Sequence, residues 1–287
     1  MSAFPQLGPD ATTHRISTTD GVTMRVVEQG SGPDIVFIPG GDSPAEAYVH
    51  LFSHFTSHFR CISYDPRGVG DTVAPAAPWT MEAMAADCAA IIEQLCDGPA
   101  VVTGLSMGGL LTQAVAIDFP GLVRLAIPMG TAAYIDGFTR DWMEAEIRLR
   151  RDGIVLPDYF LPVHYGVYAY PAKALDEPEL WAQVKAAYTV RFGGRDPQDL
   201  IDQWQACLDY DCRDRLPECQ VPMHVIAFSE DVQTPPGMCR IVADLAGNGH
   251  LHEIAGLGHV SLLRHKPDVV AAKLHEIIAE ASTKDGR

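Results

Sequence analysis

Nowhere in the sequence do eighteen apolar residues stand together, so no membrane-spanning helix is expected. The opening stretch, MSAFPQLGPDATTHR, lacks the basic start and apolar core of a secretory leader, and no export signal is expected there. Basic residues are few: 21 Lys and Arg stand against 37 Asp and Glu, for a formal charge of −16. A field of that sign repels phosphate, which argues against nucleic acid or an anionic membrane as a partner and otherwise serves solubility. The seven cysteines, at 61, 88, 96, 207, 212, 219 and 239, include no C-x-x-C pair. Scattered and odd in number, they offer no zinc or redox motif and read as the reduced thiols of a cytoplasmic protein. Internal repeats and low-complexity tracts are also lacking.

What is present is a hydrophobic fraction of 47% in 287 residues, enough for a sizeable core and for one large domain or two small ones. Two β-prone runs, 15–18 and 22–28, flank the turn residues Asp20 and Gly21 and predict a hairpin. Continuous apolar runs then alternate with helical stretches. Strands are expected at 35–39, 61–65, 101–105 and 122–128, and helices at 45–58, 80–96 (with Thr80 as N-cap) and 107–119. Apolar strands between helices imply a mostly parallel sheet covered on both faces, an α/β fold. The rhythm breaks at 131–215, where helical segments and prolines at 157, 162, 171 and 178 accompany no convincing strand. It resumes with strands at 223–228 and 250–254, a helix ending near 246 and a last helix over 266–281. The economical organisation is an α/β core formed by 1–130 and 216–287 with a helical lid, 131–215, inserted in it. The strands on either side of the insertion are too few to close separate cores.

Residues 104–108 read G-L-S-M-G, directly after an apolar strand and directly before a helix. A serine on so tight a turn exposes its hydroxyl at a helix N-terminus, where developing negative charge is favoured. Ser106 is therefore the candidate nucleophile; the plain alternative is an N-cap serine in a glycine-rich turn. Serine needs a base, and His259, in the glycine-bearing loop G-L-G-H after the last strand, is the candidate among 11 histidines. His250 and His252 alternate on the preceding strand and are explained by packing or exposure, and His265 is expected on the last helix.

Four segments carry a wider resemblance: IVFIPGG at 35–41, YDPRGVGDT at 64–72, GLSMGG at 104–109, and FSEDVQTPP at 228–236 followed by GLGHVSLL. Together they resemble the α/β-hydrolase superfamily, in particular its serine esterases, enol-lactonases and cofactor-free haloperoxidases. QACLDYDCRDRL at 205–216 is similar to enol-lactonase-like members, while Asp71-Thr72 departs from the serine usual in the D-x-R-G-x-G-x-S loop. The resemblance implies an α/β-hydrolase fold and a chain order of serine, acid, histidine. It places the acid at Asp231, with Asp136, after the strand at 122–128, as the rival. It also implies an oxyanion hole from the backbone N–H groups of Met107 and Gly41, although Pro39 stands where relatives carry histidine.

Residues 134–210 hold 13 of the 23 aromatic residues, an excess expected to roof an apolar pocket, with Trp142 and Trp204 as the first candidates for substrate contact. Arg140, Arg148, Arg150 and Arg151 could hold a substrate carboxylate, but a solvated helix face is the plainer expectation. Asp65 and Arg67 are expected to pair and brace their loop. His50, His54 and His58 stand four apart and would stack on a helix, more as a packing stripe than as a metal site.

These readings converge on a serine hydrolase acting on a small, apolar or ring-containing ester or lactone, without cofactor or metal. Cleavage of a C–C bond or perhydrolysis could use the same residues, and a hydrolase-like small-molecule receptor is the alternative of a different class. The oligomeric state is not legible.

Overall fold

The computed structural model describes residues 6–191 and 197–285. The hairpin forms as its turn predicts: β1 (Thr12–Ser17) pairs antiparallel with β2 (Thr23–Gly30). β2 in turn pairs antiparallel with β4 (Arg60–Tyr64). The remaining strands, β3 (Asp34–Ile38), β5 (Ala100–Leu105), β6 (Val123–Met129), β7 (Met223–Phe228) and β8 (Gly249–Ile254), run parallel to β4. The sheet order is β1-β2-β4-β3-β5-β6-β7-β8.

The apolar runs are continuous because both faces are covered. In β3, Ile35 and Phe37 point into one core and Val36 and Ile38 into the other. The first core packs against α1 (Val49–Phe55) and α10 (Pro267–Asp285), through residues such as Leu51, Phe55, Leu274 and Ile277. The second packs against α2 (Met81–Leu95), α3 (Met107–Asp118) and α9 (Pro236–Leu245), through Met84, Ile91, Leu111, Val115 and Val242. Thr80 caps α2 as expected, its side chain accepting from Ala83 N–H.

Between β6 and β7 the chain forms α4 (Gly137–Arg151), α5 (Leu161–Ala169), α6 (Ala172–Leu175), α7 (Pro178–Arg191) and α8 (Pro197–Asp209). Three of the prolines read as breaks are starts: Pro162 lies in the first turn of α5, Pro171 is the N-cap of α6 and Pro178 opens α7. A proline costs least there, where its missing N–H has no intrahelical partner to lose. α5 and α7 share a small core around Tyr165, Ala169, Val184 and Tyr188.

Two local expectations are corrected. The helix read over 45–58 begins as a 3-10 turn and α1 ends at Phe55, so His58 lies outside it and the histidine stripe is broken. His54 instead accepts on its carbonyl a bond from His275 of α10, and no cluster able to hold a metal exists among the described residues. His265 precedes α10, which opens at Pro267.

Candidate active site

β4 and β5 flank β3, so the connections leaving β3 and β5 part to opposite sides of the sheet. In an open parallel sheet, the crevice beyond the carboxyl ends of such strands is where ligands bind. The loop after β3 holds Gly40 and Gly41, and the turn after β5 holds Ser106. The topology therefore brings the candidate nucleophile and the candidate oxyanion loop together.

Ser106 has φ 60° and ψ −120°, a conformation unfavourable for a residue with a side chain. Such strain costs about 1–3 kcal/mol and must be over-determined by its surroundings. Its N–H donates to Met129 of β6, and its carbonyl accepts from Gly109 and Leu110 of α3. The two flanking glycines are required by close approach: a Cβ on Gly104 would stand 2.3 Å from Gly108 O, and one on Gly108 would stand 2.1 Å from Ile38 O.

His259 and Asp231 come together across 28 residues. His259 Nδ1 lies 2.7 Å from Asp231 Oδ2, and both residues are only 3% exposed. The other carboxylate oxygen accepts from Gln233 N–H and Thr234 N–H, and Thr234 Oγ1 donates to Oδ2. Asp231 is thus a turn aspartate and a histidine partner at once, and the turn fixes the carboxylate that faces the ring. The rival Asp136 does neither; its Oδ1 caps α4 at Gly137 N–H and it borders a separate surface groove beside Phe138 and Ile241. The loop carrying His259 is tied to α5 by the bond from Val260 N–H to Ala169 O.

Two residues were missed in the sequence, Tyr48 in the wall of the crevice and Gln203 buried behind it. Tyr48 is buried, donates from its hydroxyl to Ile38 O at 3.1 Å and accepts from Leu105 N–H at 2.8 Å, joining the ends of β3 and β5. Burial pushes its phenol well above the usual range, so it stays a neutral hydroxyl. Gln203 of α8 accepts from Asp42 N–H at 2.8 Å and donates to Arg67 O at 2.7 Å. Asp42 itself has φ 59°, an uncommon conformation held immediately after Gly41. Neither residue belongs to a motif, and only their tertiary partners reveal them.

The expected Asp65–Arg67 pair does not form. Asp65 pairs with Arg25 and accepts from Ala45 and Asp71 N–H, whereas Arg67 pairs with Asp87 and Asp20. Both brace the loop, but each through different neighbours.

Ser106 and His259 line one cavity of about 100 Å³, whose walls include Trp142, Trp204, Tyr165 and Arg150. The rings of Trp142 and Trp204 stand 5.2 Å apart, and a Cβ on Gly41 would lie 3.1 Å from Trp204 Nε1. A second cavity of about 50 Å³ also reaches Ser106 and adds Met107, Ile135, Met143 and Cys207. Of the four arginines, Arg150 is the one that borders the crevice: its side chain is 12% exposed, against 83% for Arg148. The solvated-face expectation is corrected for Arg150, which α4 turns inward.

A mostly parallel sheet of this order, with a strained serine beyond one strand and a histidine–aspartate pair beyond two others, defines a hydrolase fold of the α/β type. The chain belongs to the alpha/beta hydrolase family, whose model matches residues 35–273. It is 31% identical over 263 residues to the protein named "Putative non-heme bromoperoxidase BpoC" of Mycobacterium tuberculosis, covering 88% of this chain and 97% of that one. A crystal structure of BpoC matches with a TM-score of 0.83 at 27% identity, over 93% of this chain and 98% of that chain. The 3-oxoadipate enol-lactonase 2 of Acinetobacter baylyi is 25% identical over 206 residues, 72% of this chain and 74% of its own. No helix among the described residues is long and apolar enough to cross a membrane.

Proposed function

We propose that this protein is a serine hydrolase that cleaves a small ester or lactone through an acyl-enzyme. The observation that carries the reading is the 2.7 Å contact of Asp231 Oδ2 with His259 Nδ1, at the wall of a cavity that strained Ser106 also lines. In this reading Asp231 keeps the proton on Nδ1 and leaves Nε2 as the base. Ser106 Oγ attacks the substrate carbonyl while Nε2 takes its proton. The oxyanion that forms is stabilised by the N–H groups of Met107 and Gly41, each worth about 3–4 kcal/mol. Collapse expels the alkoxide, which recovers the proton from His259. Water, deprotonated by the same nitrogen, then attacks the acyl-enzyme and frees the acid and Ser106. The helices α4–α8 serve as a lid, and Trp142 and Trp204 give the apolar contact for the substrate.

The test is labelling with a fluorophosphonate beside turnover of short-chain esters and lactones. Wild-type protein should be labelled on the peptide bearing Ser106, and Ser106→Ala should not. A folded wild type that neither labels nor turns over any of these compounds overturns the reading.

A second reading is favoured by the similarity to BpoC. Hydrogen peroxide in place of water would attack the same acyl-enzyme and release a peracid and free Ser106. Partition of acetate esters between acid and peracid at rising peroxide concentration distinguishes the two.

A further inference from the structure

Ser106 stands where two cavities meet, and they are chemically unlike. Both touch Gly41, Ser106, Trp142, Trp204 and Gln233. The larger one alone touches His259, Arg150 and Tyr165; the smaller one alone touches Met107, Leu110, Ile135, Met143 and Cys207. We infer that the smaller chamber receives a short apolar acyl group, and that the larger one receives a leaving group carrying a carboxylate, held by Arg150. This inference rests on the hydrolase reading above.

The direction follows from the proton. The departing oxygen must take its proton from His259, so the leaving group lies on the side of the serine that His259 occupies. That side is the larger chamber. The acyl group is left with the other side, whose walls combine apolar side chains such as Leu110, Ile135 and Met143 with Thr131, Thr139, Gln233 and Thr234, and carry no charged side chain.

One wall of the larger chamber carries Arg150, whose guanidinium is held in place by its neighbours. Arg150 Nη1 donates to Glu146 Oε2 at 2.5 Å and to Glu146 O at 2.9 Å, and Nη2 donates to Tyr165 Oη at 2.6 Å. Its guanidinium also lies over Trp204, 5.5 Å from the ring centroid. These contacts hold the plane of the group without using Nε, for which no partner occurs among the described residues. Glu146 is 3% exposed and shares its charge further, with Tyr165 Oη at 2.8 Å and the His164 ring at 2.5 Å. Glu146 balances the guanidinium charge, and what Arg150 still has to offer a substrate oxygen is its Nε–H. The indole N–H of Trp142, whose ring borders both chambers, is buried and unpartnered among the described residues and is open to an acceptor in either. An acceptor on the substrate would satisfy it.

The experiment compares esters on the whole protein. 4-Acetoxybenzoate and its methyl ester place a carboxylate or its neutral isostere on the leaving group; the neutral ester is the more electron-withdrawing, so a preference for the carboxylate cannot be electronic in origin. kcat/KM should favour the carboxylate by about tenfold or more, the range of a charge-assisted hydrogen bond in a buried site. Phenyl acetate should exceed phenyl octanoate, and phenyl butanoate should exceed the monophenyl ester of succinic acid, whose carboxylate would fall in the smaller, uncharged chamber. In Arg150→Gln the preference for 4-acetoxybenzoate over its methyl ester should collapse toward unity. The wild-type comparisons stand alone if that variant fails to fold. Equal rates for the carboxylate and its methyl ester, or a preference for the succinate ester, overturn this inference. If Ser106 still labels with fluorophosphonate in that case, the hydrolase reading survives; loss of labelling and of all turnover overturns both.

Discussion

Gln203 on α8 and Asp42 in the loop after β3 stand 161 positions apart in the chain, yet the Asp42 N–H donates to Gln203 Oε1 at 2.8 Å. The amide of the same side chain donates to Arg67 O. One glutamine from the helical segment thus clamps the loop that carries Gly41 to the loop after β4. If Gly41 N–H serves the oxyanion, Gln203 is a positioning residue for it. Gln203→Ala should lower kcat by about 10–100-fold with KM nearly unchanged, as expected when a group slips by a fraction of an ångström to an ångström. A variant that shifts KM and melting temperature while keeping kcat would assign Gln203 to packing alone.

The acid assignment separates two aspartates. Ser106→Ala should remove about 10⁴-fold or more of the turnover, since only binding and the oxyanion donors remain. Asp231→Asn should cost about 10³–10⁴-fold, because the amide favours the wrong imidazole tautomer. Asp136→Asn should leave kcat/KM near wild type, as its side chain caps α4. Steady-state kinetics on one acetate ester decide the order, and the reverse ranking sinks the assignment.

Trp142 borders both chambers and packs on Trp204 and Tyr168. Trp142→Ala should raise KM for esters with a bulky apolar leaving group by roughly fivefold to over a hundredfold, from about 1–3 kcal/mol of lost contact. Esters of small alcohols should suffer less. Kinetics on acetate esters of a small and a bulky alcohol beside a thermal melt test this; equal losses with a lowered melt would make Trp142 a core residue of the helical segment.

His224 Nδ1 and His252 Nε2 lie 2.9 Å apart on β7 and β8, so one ring must donate and the other accept. Burial, with Lys273 nearby, lowers the pKa of His252 below the ordinary histidine value of 6.5. A histidine whose folded pKa is depressed stabilises the fold fully above the unfolded pKa and loses that contribution as pH falls through the folded one. Melting temperature should therefore fall as pH drops from about 7 to 5, the region where an unfolded histidine takes up its proton. His252→Asn should flatten that slope, and an unchanged slope would show that the pair does not set it.

Local sequence was sufficient wherever one segment carries its own physics. Ser106 was legible because strand, glycines and helix of its elbow are contiguous. The central strands were legible because an apolar run of that length, flanked by turns, is the pattern of a strand covered on both faces. Asp231 was legible only as a position in a family order, and His259 from its glycine-bearing loop as well; that they meet at 2.7 Å depends on β7 and β8 lying side by side. Other features depended wholly on packing. The inward turn of Arg150, among four arginines of one helix, was set by Glu146 and Tyr165, the latter fifteen residues away. The separation of Asp65 from Arg67 was set by Arg25 and Asp87, which arrive from β2 and α2. Gln203 and Tyr48 acquired their roles from backbone groups distant in the chain. Sequence determined which elements form, since periodicity and turn chemistry act within a few residues; tertiary structure alone decided which polar side chains meet, since a buried polar group takes whatever partner the fold brings within reach.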